Sequence, residues 1–111
     1  MNWNHLKSID QLEEIKTQSL DTPVVIFKHS TRCSISAMAL SRFERKLSKD
    51  DSDSFQPYLL DLISHRDISG EIQNMFGVVH ESPQVLLIKD GKCDYSNTHM
   101  NINYDAVLGN L

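Results

Sequence analysis

The sequence predicts an α/β domain: a four-stranded mixed sheet made of a βαβ unit and then a ββα unit, flanked by helices and preceded by an extra N-terminal helix. Three observations predict it. Val24-Val25-Ile26-Phe27 is a continuous β-branched and aromatic run, which suits a central strand covered on both faces. Segments with helical apolar spacing lie on either side of it. Near the end, Asp90-Gly91 is a hairpin turn signal between an apolar run at 84–88 and a returning strand at 92–97.

Taken in order, Ile9, Leu12 and Ile15 recur at near-helical spacing, Ser8 is placed to cap them, and Asp10, Glu13 and Glu14 favour the helix start. Asp21-Thr22-Pro23 ends that helix and the central strand follows. From 34 to about 49, Ile35, Met38, Ala39, Phe43 and Leu47 form one apolar stripe, with Arg42, Glu44, Arg45 and Lys46 largely outside it. The polar stretch 48–54 reads as a surface loop. Residues 58–62 give a second strand, and Ile68, Ile72, Met75 and Phe76 a third helix that Gly77 stops. A short closing helix is expected over 105–111.

The chain has 111 residues, the size of one domain, so residues 1–111 are expected to share one core. Fifteen acidic against 11 basic residues give a net charge of −4, which repels a phosphate backbone; no nucleic-acid partner is expected. No apolar run approaches the roughly 20 residues of a membrane span, and the first residues lack the basic-then-apolar order of a signal peptide. A cytoplasmic protein with no membrane partner is the expectation. Two cysteines are too few for a disulfide scaffold.

Chemistry concentrates at Cys33, between the strand that ends near Lys28 and the helix that begins near Ser34. There the unpaired amides and the positive end of the helix dipole favour a thiolate; comparable sites bring a cysteine from about 8.5 down to roughly 3.5–7.5. Arg32, with Lys28 and His29 nearby in sequence, adds positive charge. Ser36 makes the segment C-x-x-S, whose hydroxyl can hydrogen-bond a thiolate but cannot close a disulfide. The bland alternative is a buried, inert cysteine.

The run Phe27-Lys28-His29-Ser30-Thr31-Arg32-Cys33-Ser34-Ile35-Ser36, followed by Ser82-Pro83-Gln84-Val85, resembles the monothiol bacilliredoxin family of the bacillithiol system, within the thioredoxin-like superfamily. That family typically carries Thr-Arg-Cys-Pro-Ile-Ser; Ser34 stands here in place of the proline and adds an N–H and a hydroxyl near the sulfur. The resemblance implies a thioredoxin-like fold and a monothiol oxidoreductase with Cys33 as its catalytic residue. It implies that Pro83 is cis and faces Cys33, and that the Ser82 backbone offers hydrogen bonds to a bound thiol. Arg32, Ser34, Ser36, Ser82 and Pro83 are thus the expected substrate-binding residues. No bound cofactor is expected; the partners are S-thiolated client proteins and a low-molecular-weight thiol such as bacillithiol as co-substrate. A non-catalytic redox-sensing or binding module on the same fold is the alternative.

Cys93 follows the distal hairpin, roughly 20 Å along a strand from Pro83 at about 3.3 Å per residue, so it reads as structural rather than resolving. His29 and Cys33 alone are too few ligands for a metal, and none is expected. His65, His80 and His99 read as surface or capping residues, and Trp3 as a packing anchor.

Overall fold

A computed structural model describes residues 3–49 and 54–111. Five strands and four helices follow in the order β1 (Asn4–His5), α1 (Asp10–Gln18), β2 (Val24–His29), α2 (Ser34–Lys49), β3 (Gln56–Asp61), α3 (Arg66–Phe76), β4 (Gln84–Lys89), β5 (Lys92–Thr98) and α4 (Tyr104–Gly109); a 3-10 turn, His99–Asn101, precedes the last helix. The sheet order is β1-β3-β2-β4-β5. Strand β2 pairs parallel with β3 and antiparallel with β4, which makes it central. Five of its six residues are buried, as a strand covered on both faces requires.

The expected four strands are all present; the fifth, β1, is a two-residue exposed edge pairing parallel with β3. Asn4 and His5 carry no alternation of apolar and polar residues that would announce a strand. Only backbone pairing, with an Asn4 side-chain bond to the Pro57 carbonyl at 3.2 Å, defines it.

Alternation along β2 and β4 sends side chains to two cores. On one face Val25, Phe27, Val85 and Leu87 meet Ala39, Phe43 and Leu47 of α2 and Tyr104 and Val107 of α4. On the other, Val24, Ile26, Leu86 and Ile88 meet Leu12 and Ile15 of α1 and Ile68 and Ile72 of α3. Trp3 anchors the N-terminal segment: its ring stacks on Phe43 at 6.0 Å and its Nε1 donates to Glu44 Oε2 at 2.9 Å.

Four local expectations are corrected. Helix α1 starts after Ile9, which is 40% exposed, and Leu6 takes its place in the core. Ser8 provides no side-chain cap; Gln11 instead reaches back and accepts the Lys7 and Ser8 amides. In α2, Ile35 and Met38 are exposed and Ser36 is buried, so the inward stripe is Ser36, Ala39, Phe43 and Leu47. At the first turn the helix faces the polar loop before it, not an apolar sheet surface. Of the expected loop 48–54, Ser48 and Lys49 belong to α2, and 50–53 lie outside the described residues.

Two turns are set by backbone conformation. Gly77 ends α3 at φ 68°, its N–H bonding the Gln73 carbonyl at 2.9 Å. Asp90 and Gly91 both have positive φ, as a two-residue hairpin of type I′ requires, and Ser19 accepts both their amides.

Candidate active site

The loop 30–33 leaves the central strand and delivers Cys33 to the start of α2. The Cys33 amide donates to the Ser30 carbonyl at 3.2 Å, and its own carbonyl accepts the Ala37 amide at 3.0 Å, the first bond of the helical ladder. That geometry puts the side chain at the helix N-terminus, where amides without intrahelical partners gather. Cys33 is a free thiol and partly exposed. Arg32 and Ser34, on either side of it, are exposed.

Ser36 is fully buried and its hydroxyl is already engaged: it accepts the Ser30 amide at 3.0 Å and lies 2.7 Å from His29 Nδ1. It braces the loop beneath the cysteine. Burial lowers the pKa of His29, outweighing the upward pull of Asp61 and then Glu44. The His29 ring is therefore held toward its neutral form.

Lys28 points away from that loop. Its side chain is fully buried on the α3 side of the sheet, with Nζ 2.7 Å from His80 Nδ1 and 3.2 Å from Gln84 Oε1. Burial lowers its pKa to about 8 against a weaker upward pull from Glu81. The positive charge that Lys28 brings near Cys33 in sequence is thus turned to the opposite layer.

The Ser82–Pro83 peptide bond is cis. The Pro83 carbonyl accepts the His99 amide at 3.0 Å, and Ser82 Oγ is buried with no hydrogen-bond partner among the described residues. Strand register places Gln84, the residue after Pro83, opposite Lys28. The Pro83 segment and the Cys33 loop therefore share one end of the sheet.

Cys93 pairs with Ile88 near the other end of β4. Its thiol donates to the Tyr95 carbonyl at 3.4 Å, and burial pushes its pKa up. A partly buried thiol at the distal pole, held toward its neutral form, suits a packing role. Among the described residues no three His, Cys, Asp or Glu side chains converge as a metal site would need, and no helix is long and apolar enough to cross a membrane.

The couples His29–Ser36 and Lys28–His80–Gln84 escape the sequence reading. The available signal is a lysine that continues an apolar strand run, where a charged side chain has to be satisfied internally.

A family model described as monothiol bacilliredoxin BrxC matches residues 4–107. Among solved structures, one described as a candidate oxidoreductase with a thioredoxin fold is 32% identical, with a TM-score of 0.82 over 95% of this chain and 89% of that one. Thioredoxin (Mala s 13) from Malassezia sympodialis matches at 20% identity and a TM-score of 0.77, covering 98% and 90%. Fasciola hepatica thioredoxin matches at 13% identity and a TM-score of 0.77, covering 97% and 99%. The fold is that of thioredoxin.

Proposed function

The chain belongs to the monothiol bacilliredoxin family, and from that premise we propose that it is a thiol-disulfide oxidoreductase that removes a bacillithiol-like small thiol from client proteins through Cys33. The observation that carries this reading is the placement of a free, partly exposed thiol at the start of α2, at the same end of the sheet as Pro83.

The chemistry proceeds in two exchanges. The Cys33 thiolate attacks the small-thiol sulfur of the client's mixed disulfide; that S–S bond breaks, a new one joins Cys33 to the small thiol, and the client leaves as a thiolate. A second small-thiol thiolate then attacks the adduct, leaving as the symmetrical disulfide and restoring Cys33. Disulfide count is conserved: one mixed disulfide enters and one symmetrical disulfide leaves, with the second small thiol oxidised as the client thiol is reduced. One cysteine suffices, which agrees with Ser36 at the C-x-x-S position and with Cys93 at the far pole.

Arg32 and Ser34 flank the sulfur on the exposed side and bind the incoming thiol, with the backbone of Ser82 and Pro83 forming the opposite wall. Ser36 contributes by bracing the loop. The place of action is the cytoplasm, where small thiols keep cysteines reduced.

The test is a time course with limiting protein, an S-thiolated client and excess small thiol. Release of many equivalents of reduced client per protein is expected. A plateau at one equivalent would instead identify a redox-sensing module that only records oxidation.

A further inference from the structure

Among the described residues, no carboxylate forms an ion pair with the cation that lies inside this fold. Lys28 is fully buried and donates to His80 Nδ1 and Gln84 Oε1, neither of which is negatively charged. The ion pairs among the described residues, Lys46–Asp105 and Lys89–Asp94, do not involve it. Glu81 acts on it only at longer range, and with a pKa of about 8 the ammonium is the main form at neutral pH. A buried charge in that condition favours an anion nearby.

The Lys28 bond also fixes a proton on its partner. An ammonium has no lone pair, so His80 Nδ1 is the acceptor and the neutral ring carries its hydrogen on Nε2. Desolvation first, and then Lys28, lowers the His80 pKa and keeps the ring neutral. Ser69 Oγ lies 3.0 Å from the same Nδ1, and Gln73 Oε1 accepts the His80 amide at 2.7 Å. The ring is thus held at Nδ1 and the residue at its backbone amide.

His80 is nonetheless exposed as a residue, and with Leu62, Arg66, Ser69 and Gly70 it lines a hollow of about 370 Å³. That volume falls in the range of small-ligand pockets. Arg66, the exposed first residue of α3, makes no ion pair among the described residues. The hollow opens at the pole that carries the thiol: the Leu62 amide donates to the His29 carbonyl at 3.0 Å, and Gln84 directly follows Pro83.

We propose that this hollow is a subsite for a carboxylate carried by the small thiol, an assignment that rests on the Cys33 reading above. Arg66 supplies a charged fork, the His80 Nε2–H a neutral donor, and Lys28 the positive field behind the ring. No bond is made or broken there; the subsite selects acidic thiols over neutral ones and orients them.

Two measurements test it. Adduct formation at Cys33 is followed with glutathione disulfide, whose arms bear carboxylates, and with 2-hydroxyethyl disulfide, whose arms do not. Arg66→Gln is expected to slow the first by roughly fivefold to tenfold, the loss of one charge-assisted contact, and the second by less than about twofold. Equal effects on both, or none on either, overturn the subsite.

In the second, the Cys33→Ser protein is titrated with S-methylglutathione, which cannot exchange, while the His80 ring signals are followed by NMR. A saturable shift that Arg66→Gln abolishes is expected. That shift without any adduct at Cys33 in the unaltered protein defeats the oxidoreductase reading and keeps a carboxylate site; adducts without the shift defeat the subsite alone. A thiol-free tripeptide containing glutamate that moves the same signals at lower concentration assigns the hollow to a client's acid and overturns the small-thiol assignment.

Discussion

Ser36 Oγ stands 2.7 Å from His29 Nδ1 and 3.0 Å from the Ser30 amide nitrogen, so one hydroxyl in the first turn of α2 holds the end of the central strand and the loop that follows it. An amide can only donate, so Ser36 accepts from Ser30 and has its own proton to give the imidazole. The fourth residue of the C-x-x-S segment acts on the path of the loop carrying Cys33.

Ser36→Ala leaves the Ser30 amide and His29 Nδ1 without that partner at a fully buried position. A loss of about 1–3 kcal/mol in urea unfolding is expected. Exchange at Cys33 should slow as well, since the loop loses its brace; an unchanged unfolding midpoint would contradict this role.

Acid should weaken the fold before its carboxylates titrate. Burial lowers the pKa of His29, and burial followed by Lys28 lowers that of His80, below the ordinary 6.5. As pH falls through 6.5 the unfolded chain takes up protons that the folded histidines resist, so stability declines toward the lower folded values. Melting temperatures at pH 7.5, 6.5 and 5.5 should fall in sequence. A double variant, His29→Gln with His80→Gln, should show a flatter profile over the same range.

Lys28 carries the same sign into the alkaline range. Its folded pKa of about 8 lies below the ordinary 10.5, so between these values the unfolded chain binds more protons and the Lys28 contribution to stability rises with pH. Unfolding free energies of the native protein and Lys28→Met, compared at pH 7.5 and 10, isolate it. The native protein should gain relative to the variant at the higher pH.

The aromatic centre on the α2 side offers a packing test. Phe43 lies 5.5 Å from Phe27, 6.0 Å from Trp3 and 5.1 Å from Tyr104 between ring centroids. Phe43→Ala should cost about 3–5 kcal/mol and shift Trp3 fluorescence to the red as its stacking partner is lost.

What the sequence makes legible follows from where apolar periodicity is strong. Helix α2 is read over 34–49 and found at Ser34–Lys49, because Ala39, Phe43 and Leu47 repeat at helical spacing and Cys33 sits at the strand-to-helix junction. Periodicity fails where burial is polar. It assigns Ile35 and Met38 to the core, whereas Ser36 is inside because its partners are a backbone amide and an imidazole. Leu6 replaces Ile9 because the chain enters α1 from the edge strand, which packs Leu6 beneath it. The Lys28–His80 contact joins residues 52 positions apart, and no local pattern announces such a pair.

On the proposed mechanism, Cys33 takes the small thiol from a client. Intact and peptide mass spectrometry, on protein mixed briefly with an S-thiolated client and no added reductant, tests it most directly. One small-thiol adduct on Cys33, an equal amount of reduced client, and the same result with Cys93→Ser are expected. An adduct on Cys93, or a freed client with Cys33→Ser, would contradict it.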